Sequence, residues 1–282
     1  MTQRVRTWRR PGASGTLYRG DAAEFLGSLR TGSVDLLFLD PPFNLRKIYS
    51  LQQPKLDARP PRQYERWLRM IAREAARVVA PGGALYLYHL PRWALTIGAD
   101  LQRDLVLRHW IAIAMKNGFA RGERLYPAHY ALLYFTKGPP AHFVRPKLRP
   151  QRCRKCKEFV KDYGGYRKIV ETKGLNLSDI WDDVSPLRHR NRKHRNANEL
   201  PSVITDRIVQ ISGVPDGFFV DPFAGAGSSI ISAIAKGMRF RACDIVQENC
   251  TIIADRVNSF KAEARAASAN RHGDRHAIAS RH

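Results

Sequence analysis

The chain has 282 residues, of which 44% are hydrophobic, so it can bury one substantial core or a core with a small insert. Its 48 Lys and Arg residues against 25 Asp and Glu residues give a net charge of +23, which points to a polyanionic partner because neutralising phosphates releases counterions. Four cysteines exclude a disulfide-stapled framework, and no stretch has the apolar length of a secretory signal or a membrane span, so we expect a cytoplasmic protein.

The first forty residues predict a β-α-β unit. Residues 1–14 are predicted to form a mobile basic segment ahead of the first strand. A short strand at Thr16–Arg19 ends at Gly20-Asp21, and a helix with regularly spaced apolar positions follows. The run Val34–Leu39 is short, continuous and apolar, which is typical of a buried parallel strand. Asp21, at the strand-to-helix turn, either caps the helix or accepts a hydrogen bond from a ligand amino group.

The tetrapeptide Asp40-Pro41-Pro42-Phe43 follows at the carboxyl end of that strand, which is the edge where open α/β sheets bind ligands. Two consecutive prolines fix φ and remove two N–H donors, so they hold the carboxylate of Asp40 and the ring of Phe43 at a stiff corner. An acceptor beside an exposed aromatic face can bind the amino group of a flat molecule that stacks on the ring. An ordinary strand-ending turn is the alternative interpretation.

The next hundred residues predict a loop, two helices and three strands. In chain order these are the loop Leu45–Pro61, the helix Gln63–Val79, the strand Ala84–Tyr88, the helix Ala94–Arg103, and the strands Leu105–Lys116 and His129–Thr136. Pro81-Gly82-Gly83 should end the first helix. The last two strands should form an antiparallel hairpin that finishes one edge of the sheet.

Residues 141–195 lose the regular apolar periodicity and are rich in Arg, Lys and Gly. Basic residues interleaved with Tyr, Trp and Asn suit phosphate contacts and base stacking or readout, whereas a solvated charged loop is the alternative. The residues predicted to bind nucleic acid are Arg188, Arg190, Arg192, Lys193 and Arg195.

Cys153 and Cys156 have the spacing of half a zinc site. No second cysteine pair follows, so His142, His189 or His194 would have to complete it, with a spacing that matches no standard finger. Reduced free thiols are the default expectation, and zinc is the second interpretation.

The sheet pattern returns after the basic segment. The predicted elements are the helix Asn198–Ser212 with Pro201 in its first turn, the strand Gly217–Val220, the glycine-rich turn Asp221–Ser229, the helix Ile230–Lys236 and the strand Arg239–Cys243. Glycines at a strand-to-helix turn let a ligand approach the backbone. Asp244 then stands where a carboxylate accepts hydrogen bonds from ribose hydroxyls, so the combination predicts a cofactor that contains adenosine.

These motifs resemble the S-adenosylmethionine-dependent amino-group DNA methyltransferases over most of residues 16–258. Asp40–Phe43 is similar to the catalytic motif of the family, and the sequence DPFAGAGSS at 221–229 is similar to its cofactor motif. The catalytic motif comes first and the basic segment lies between the two, as in the β group. The resemblance implies an α/β fold with a Rossmann-like, mostly parallel sheet, an antiparallel edge hairpin, helices on both faces and a basic irregular insert.

The resemblance also divides the chain. It implies a catalytic half at 15–140, a target-recognition insert at 141–195 and a cofactor-binding half at 196–260. The Ala-, Arg- and His-rich composition of 261–282 predicts a disordered tail. The segment Asn198–Pro201 departs from the His-Pro-Thr-x-Lys-Pro-like run that the group has at that place.

The residue roles implied by the resemblance fall into two groups. The catalytic residues are Asp40, Pro41, Pro42 and Phe43. The cofactor-binding residues are Asp21, Asp221, Pro222, Phe223, Gly225, Gly227, Ser228, Ser229 and Asp244. Phe43 would stack on a base flipped out of the duplex, while Asp40 and the Pro41 carbonyl accept from its amino group during direct methyl transfer.

The expected substrate is the N6 amino group of adenine in double-stranded DNA, because Asp stands first in the catalytic motif. The alternatives are a cytosine-N4 enzyme, an RNA methyltransferase and a nucleic-acid-binding protein without activity. The resemblance leaves open a homodimer and a cognate restriction endonuclease as partners, in a prokaryotic or phage-encoded system without a membrane role.

Overall fold

The computed structural model describes residues 2–46, 57–114, 123, 125, 127–153, 155–161, 164–184 and 199–260. The strands in these ranges are β1 Gln3–Arg10, β2 Ala13–Arg19, β3 Val34–Leu39, β4 Val79–His89, β5 Val106–Ala114, β6 His129–Thr136, β7 Lys147–Leu148, β8 Leu175–Asn176, β9 Ile180–Trp181, β10 Phe218–Asp221 and β11 Arg239–Asp244. The helices are α1 Ala22–Gly27, α2 Pro61–Val78, α3 Pro91–Leu101, α4 Arg167–Lys173, α5 Ser202–Ser212, α6 Ser228–Ala235 and α7 Gln247–Ser259.

Nine of these strands form one sheet in the order β1-β2-β11-β10-β3-β4-β6-β5-β9. The five neighbours from β2 to β4 run parallel, and β6 runs antiparallel to both β4 and β5. From β3 the chain builds the sheet toward β4, and from β10 it builds toward β11. The strand order therefore reverses between β3 and β10, which is the place where open α/β sheets form a ligand crevice.

Helices cover both faces of the sheet, as predicted. Side chains of α1, α2 and α3 belong to the core on one face, and those of α5, α6 and α7 to the core on the other. Strand β3 contributes to both, because Leu36 and Phe38 enter one core while Leu37 and Leu39 enter the other. Burial of each such side chain stabilises the fold by about 1.5–3 kcal/mol, so β3 fixes the position of the corner that follows it.

The prediction of a mobile segment at residues 1–14 is wrong. Gln3–Arg10 pairs antiparallel with β2 and forms one edge of the sheet. Trp8 is the anchor: it is 5% exposed, its ring centroid lies 5.8 Å from that of Phe240, and its Nε1 donates to Asn258 Oδ1 at 2.8 Å. A single buried tryptophan among exposed arginines gives no visible apolar alternation, which is why the sequence pattern missed the strand.

Several element ends also differ from the prediction. Helix α2 ends at Val78 and β4 begins at Val79, so Pro81-Gly82-Gly83 lies inside the irregular start of the strand rather than before it. Pro201 precedes the first residue of α5 instead of lying in its first turn. Helix α7 was not predicted as an element. The antiparallel hairpin of β5 and β6 is confirmed, but β9 pairs with β5 and takes the edge position.

The described part of 141–195 contains three short strands and one helix. Near the end of this described part, the buried Arg207 guanidinium of α5 donates through two nitrogens to the partly exposed carboxylate of Asp183. The same guanidinium lies 5.0 Å from the centre of the Trp181 ring. This side of the segment is therefore held against α5. The boundaries of the predicted catalytic half, insert and cofactor-binding half stay a prediction, and the predicted tail at 261–282 lies outside the described residues.

Candidate active site

The structure brings the predicted carboxylates together at one edge of the sheet. Asp40 follows β3, Asp221 ends β10, Asp244 ends β11 and Asp21 follows β2. These four strands are consecutive parallel neighbours, so all their carboxyl ends lie at the same edge. The Gly20 N–H donates to the Asp244 carbonyl at 3.1 Å, which ties the first turn to the last.

Asp221 is almost completely buried at the start of the glycine-rich turn. Its carboxylate accepts from the Phe223 N–H at 2.8 Å and from the Ser229 hydroxyl at 2.5 Å. Burial raises the pKa of Asp221 to about 7, although the hydrogen bonds from Ser229 and Phe223 act in the opposite direction. The group can therefore change its charge near neutral pH. Pro222 is the second residue of the turn, directly after Asp221.

The turn itself has a backbone that favours glycine at two positions. Gly225 has φ of 53° and Gly227 has φ of 79°, both in the left-handed region. A Cβ atom at Gly227 would lie 3.0 Å from Ile253 Cγ1, so a side chain there would also crowd α7. The turn leads into α6 at the buried Ser228. Glycines at such a strand-to-helix turn let a ligand approach the backbone closely.

Asp244 and Asp21 are both held by backbone donors. Asp244 accepts from the Gly225 N–H through Oδ2 at 2.8 Å, and from the Val246 N–H through Oδ1 at 2.8 Å. Asp21 caps α1 by accepting from the Ala23 N–H at 2.8 Å. The capping interpretation of Asp21 is thus observed, and the ligand contacts expected of both carboxylates stay predictions.

The ring of Phe43 lies in an aromatic cluster. It is stacked on His89 with centroids 4.8 Å apart, and it lies 5.7 Å from both Tyr88 and Tyr130. Only 8% of Phe43 is exposed, so the prediction of an exposed aromatic face is wrong in this respect. Tyr88 and His89 come from the end of β4, which pairs with β3, and Tyr130 comes from the start of β6, which pairs with β4.

Tyr88 and Tyr130 lie in the electric field of Asp40. Burial first, and the charge of Asp40 second, raise the pKa of both phenols above the ordinary value. Both side chains therefore stay protonated at neutral pH beside the predicted catalytic carboxylate. Sequence analysis missed them, because only the strand register shows that two tyrosines 42 positions apart share this corner.

Tyr64 and His89 lie behind the corner. The Tyr64 hydroxyl donates to the Pro42 carbonyl at 2.5 Å, and its oxygen lies 2.6 Å from His89 Nε2. His89 Nδ1 accepts from the Leu90 N–H at 2.7 Å. Burial, and then the nearby charge of Arg92, lower the pKa of His89 to about 3, so the imidazole is neutral at physiological pH. Its place directly after the predicted strand Ala84–Tyr88 was the only sequence signal for this residue.

The predicted loop Leu45–Pro61 is described only at its two ends, since residues 47–56 lie outside the described ranges. The ends are joined by a pair of bonds: Asn44 Nδ2 donates to the Arg59 carbonyl, and the Arg59 N–H donates to Asn44 Oδ1, both at 2.8 Å. The Arg59 guanidinium lies 4.3 Å from the centre of the Trp67 ring. The chain therefore returns to α2 immediately beside the point where it leaves the corner.

The five residues predicted to bind nucleic acid fall at 188–195, outside the described residues, as do His189 and His194. Cys153 and Cys156 lie in a turn in which the Cys153 N–H donates to the Glu158 carbonyl at 2.7 Å. The described ranges contain no group of three or more His, Cys, Asp or Glu side chains able to hold a metal ion. They also contain no helix both long and apolar enough to cross a bilayer.

Comparison with known proteins adds a family to this geometry. The family described as DNA methylase matches residues 34–255. The type II methyltransferase M.BamHI of Bacillus amyloliquefaciens is 37% identical over 246 residues, which cover 87% of this chain and 57% of the relative. The chain thus spans little more than half the length of that protein.

Two solved structures share the fold. PvuII DNA methyltransferase, described as cytosine-N4-specific, superposes with a TM-score of 0.63 at 15% identity and covers 94% of this chain and 96% of its own. A DNA modification methylase from Thermus thermophilus, complexed with S-adenosyl-L-methionine, has a TM-score of 0.56 at 19% identity, with coverage of 86% and 92%. At these identities the likeness concerns the fold alone.

Proposed function

The chain belongs to the DNA methylase family, and from that premise we propose that it transfers a methyl group from S-adenosylmethionine to an exocyclic amino group of a base in double-stranded DNA. One observation carries the proposal. The corner Asp40–Phe43 and the turn Asp221–Ser229 follow neighbouring parallel strands at the place where the strand order reverses. A base held by the first and a cofactor held by the second would meet in one crevice.

The residues of the crevice fit the proposed cofactor. The carboxylates of Asp21, Asp221 and Asp244 can accept from an ammonium, an adenine amino group and ribose hydroxyls, and Gly225 and Gly227 give the turn beside them its left-handed backbone. We assign Asp221, Phe223, Gly225 and Gly227 to the methionine part, Asp244 to the ribose and Asp21 to the adenine ring, with Pro222, Ser228 and Ser229 shaping the turn. S-adenosylmethionine, when bound, supplies an electrophilic methyl group on its sulfonium.

The catalytic corner acts on the target nitrogen. The lone pair of an exocyclic amine is delocalised into the ring, and base pairing hides the group, so the base must first leave the stack. The Asp40 carboxylate and the Pro41 carbonyl accept hydrogen bonds from the two amino hydrogens and thereby localise the lone pair on nitrogen. As the nitrogen gains the methyl group and the bond from that group to sulfur breaks, one amino proton passes to the Asp40 carboxylate and from there to solvent. Phe43 packs against the base, and Pro42 keeps the corner rigid. Catalysis then consists of positioning and electrostatic stabilisation.

We further propose adenine N6 as the target atom. The support is the aspartate at the first position of the corner, since Asp at that place favours adenine in the family that the motif resembles. The basic segment with Arg188, Arg190, Arg192, Lys193 and Arg195 is proposed to contact the phosphates of the duplex.

Partners of the protein are proposed from its relatives. Two relatives of this chain carry the name type II methyltransferase, so we also propose a cognate restriction endonuclease as a partner in a bacterial cytoplasm. Light scattering of the purified protein would decide whether it also forms the predicted homodimer.

Mass spectrometry of the modified nucleosides tests this function. The purified protein is incubated with unmethylated genomic DNA, or with RNA of matched sequence, and S-adenosylmethionine that carries a deuterated methyl group. Labelled N6-methyladenine in the DNA is the expected product. Labelled N4-methylcytosine would keep the reaction and overturn the target base, label in the RNA alone would overturn the substrate, and no label in either would overturn the activity.

A further inference from the structure

Behind the catalytic corner lies a pair of buried polar side chains that the motif does not contain. We propose that Tyr64 and His89 form a positioning pair, which fixes the Pro42–Phe43 peptide and the Phe43 ring while the methyl group is transferred. The proposal rests on the function proposed above. It concerns two residues that touch the corner from behind and act through it.

The hydrogen bonds of the pair have only one consistent direction. The Pro42 carbonyl can only accept, so the Tyr64 hydroxyl must donate its single proton there. The Tyr64 oxygen must then accept at its 2.6 Å contact with His89 Nε2, and that nitrogen must carry the proton. The other ring nitrogen agrees, since Nδ1 accepts from the Leu90 N–H at 2.7 Å. In this row of hydrogen bonds the proton of the imidazole therefore lies on His89 Nε2, and the proton of the hydroxyl points to the Pro42 carbonyl.

The corner needs this support because it has few donors of its own. Pro41 and Pro42 both lack an N–H, so this stretch of backbone cannot be held by a ladder of its own donors. Tyr64 supplies a bond from α2 to the carbonyl between Pro42 and Phe43. One side-chain hydroxyl thus restrains the peptide that sets the direction of the Phe43 ring.

His89 supplies the second restraint. Its ring lies 4.8 Å from that of Phe43, with an angle of 26° between the planes. Tyr64 and His89 are 1% and 0% exposed, and the rings of Tyr64 and Trp93 pack in an edge-to-face contact with centroids 4.9 Å apart. The neutral state of His89 at physiological pH suits its packing against an aromatic ring without a counter-charge. The pair therefore links α2, the end of β4 and the catalytic corner in one rigid unit.

A matched set of variants tests the pair. Tyr64→Phe removes the hydroxyl, His89→Gln keeps an N–H donor for Tyr64, and His89→Leu removes it. Tyr86→Phe is the control, because Tyr86 also lies on β4 and its buried hydroxyl shares a 2.8 Å hydrogen bond with Ser212, away from the corner. For each variant, kcat, KM for DNA and for S-adenosylmethionine, and the melting temperature are measured.

We expect Tyr64→Phe to lower kcat at least about tenfold, as a misplaced corner would, with KM for the cofactor within about twofold of wild type. Tyr86→Phe should keep the wild-type kcat even where it lowers the melting temperature. His89→Gln should retain more of kcat than His89→Leu. In the wild-type protein, a two-bond ¹H–¹⁵N correlation spectrum of the imidazole should show the proton on Nε2.

Three results would overturn the positioning role. These are a wild-type kcat in folded Tyr64→Phe, equal losses in His89→Gln and His89→Leu, or an imidazole proton on Nδ1. If Tyr64→Phe does not fold, the two His89 variants and the imidazole spectrum decide. A wild-type protein without methyl transfer would overturn the proposed function, whereas an active wild type with an unaffected Tyr64→Phe variant would overturn the pair alone.

Discussion

Trp67 and Phe223 lie in edge-to-face contact, with ring centroids 5.8 Å apart and an angle of 73° between the planes. Trp67 belongs to α2, the helix that follows the catalytic corner, and Phe223 belongs to the turn proposed to hold the cofactor. The contact therefore joins the two halves of the crevice directly. A change in one half can be transmitted to the other through these two rings.

We expect Trp67→Ala to weaken the binding of S-adenosylmethionine about two- to tenfold. An edge-to-face pair contributes about 0.5–1.5 kcal/mol beyond its buried area, and its loss would free Phe223. Trp67→Phe keeps an aromatic edge and should lie closer to wild type. Isothermal titration calorimetry measures the three dissociation constants, and equal values for wild type and Trp67→Ala would show that the contact does not support the turn.

Asp40→Ala should reduce kcat by about 10²–10³, the cost of losing one preorganised electrostatic group at a reacting centre. The affinity for S-adenosylmethionine should stay within about twofold, because the cofactor is assigned to the neighbouring strand ends. Asp35→Asn is the matched control: Asp35 also lies on β3, but its carboxylate accepts from the Phe218 N–H at 2.7 Å, outside the crevice. Transfer assays and titrations on both variants separate the two effects, and a wild-type kcat in Asp40→Ala would remove Asp40 from the mechanism.

Trp8→Ala should lower the free energy of unfolding by about 3–5 kcal/mol, as expected for truncation of a buried tryptophan. The variant loses the packing on Phe240 and the hydrogen bond to Asn258. The exposed Arg9 on the same strand is the control, and Arg9→Ala should change stability by no more than about 0.5 kcal/mol. Urea unfolding of both variants is the measurement, and a Trp8→Ala midpoint equal to wild type would mean that β1 does not stabilise the sheet.

The contrast between Trp8 and Asp40 indicates how far the sequence predicts this protein. The corner at Asp40 was predictable, because a continuous apolar run and two prolines act locally and leave few conformations. Strand β1 was not, because its fit depends on one side chain that contacts Asn258 on α7, 250 positions further along the chain. Tyr64 and His89 were missed for a related reason: they meet only when α2 and β4 are packed against the corner. Features set by neighbouring residues can be predicted from the sequence, whereas contacts between distant elements depend on strand register and helix packing.

The pKa of Asp221 predicts a specific pH dependence of stability. Its folded value of about 7 lies above the ordinary 3.8, so between these values the native state binds a proton that the unfolded state does not. The stabilisation from protonated Asp221 is therefore complete below pH 3.8 and is lost as the pH rises through 7. Relative to Asp221→Asn, which cannot titrate, the wild-type free energy of unfolding should fall by up to about 1.4 kcal/mol per pH unit between pH 5 and 7.

The measurement is urea unfolding of both proteins at half-unit steps from pH 5 to 8, without cofactor. Curves that stay parallel would place the folded pKa of Asp221 near its ordinary value. The same titration is repeated with S-adenosylmethionine. A bound cation beside Asp221 should lower its folded pKa toward the ordinary value, and the loss of stability between pH 5 and 7 should then become smaller.

The basic segment predicts a change in the salt dependence of DNA binding. Each phosphate contact that is lost should reduce the slope of log affinity against log salt by about 0.9. The variant replaces Arg188, Arg190 and Arg192 by Ala. A matched control replaces Arg4, Arg6 and Arg9 on β1, which are exposed and lie at the opposite edge of the sheet from β9.

Fluorescence anisotropy with a DNA duplex at several salt concentrations measures both slopes. Overall net charge acts on both variants to a similar degree, so a diffuse attraction would reduce the two affinities alike and leave both slopes near wild type. A direct contact predicts a smaller slope and a lower affinity in the segment variant only. If the two variants behave alike, the segment is a solvated charged stretch, and the duplex must be held by other parts of the chain.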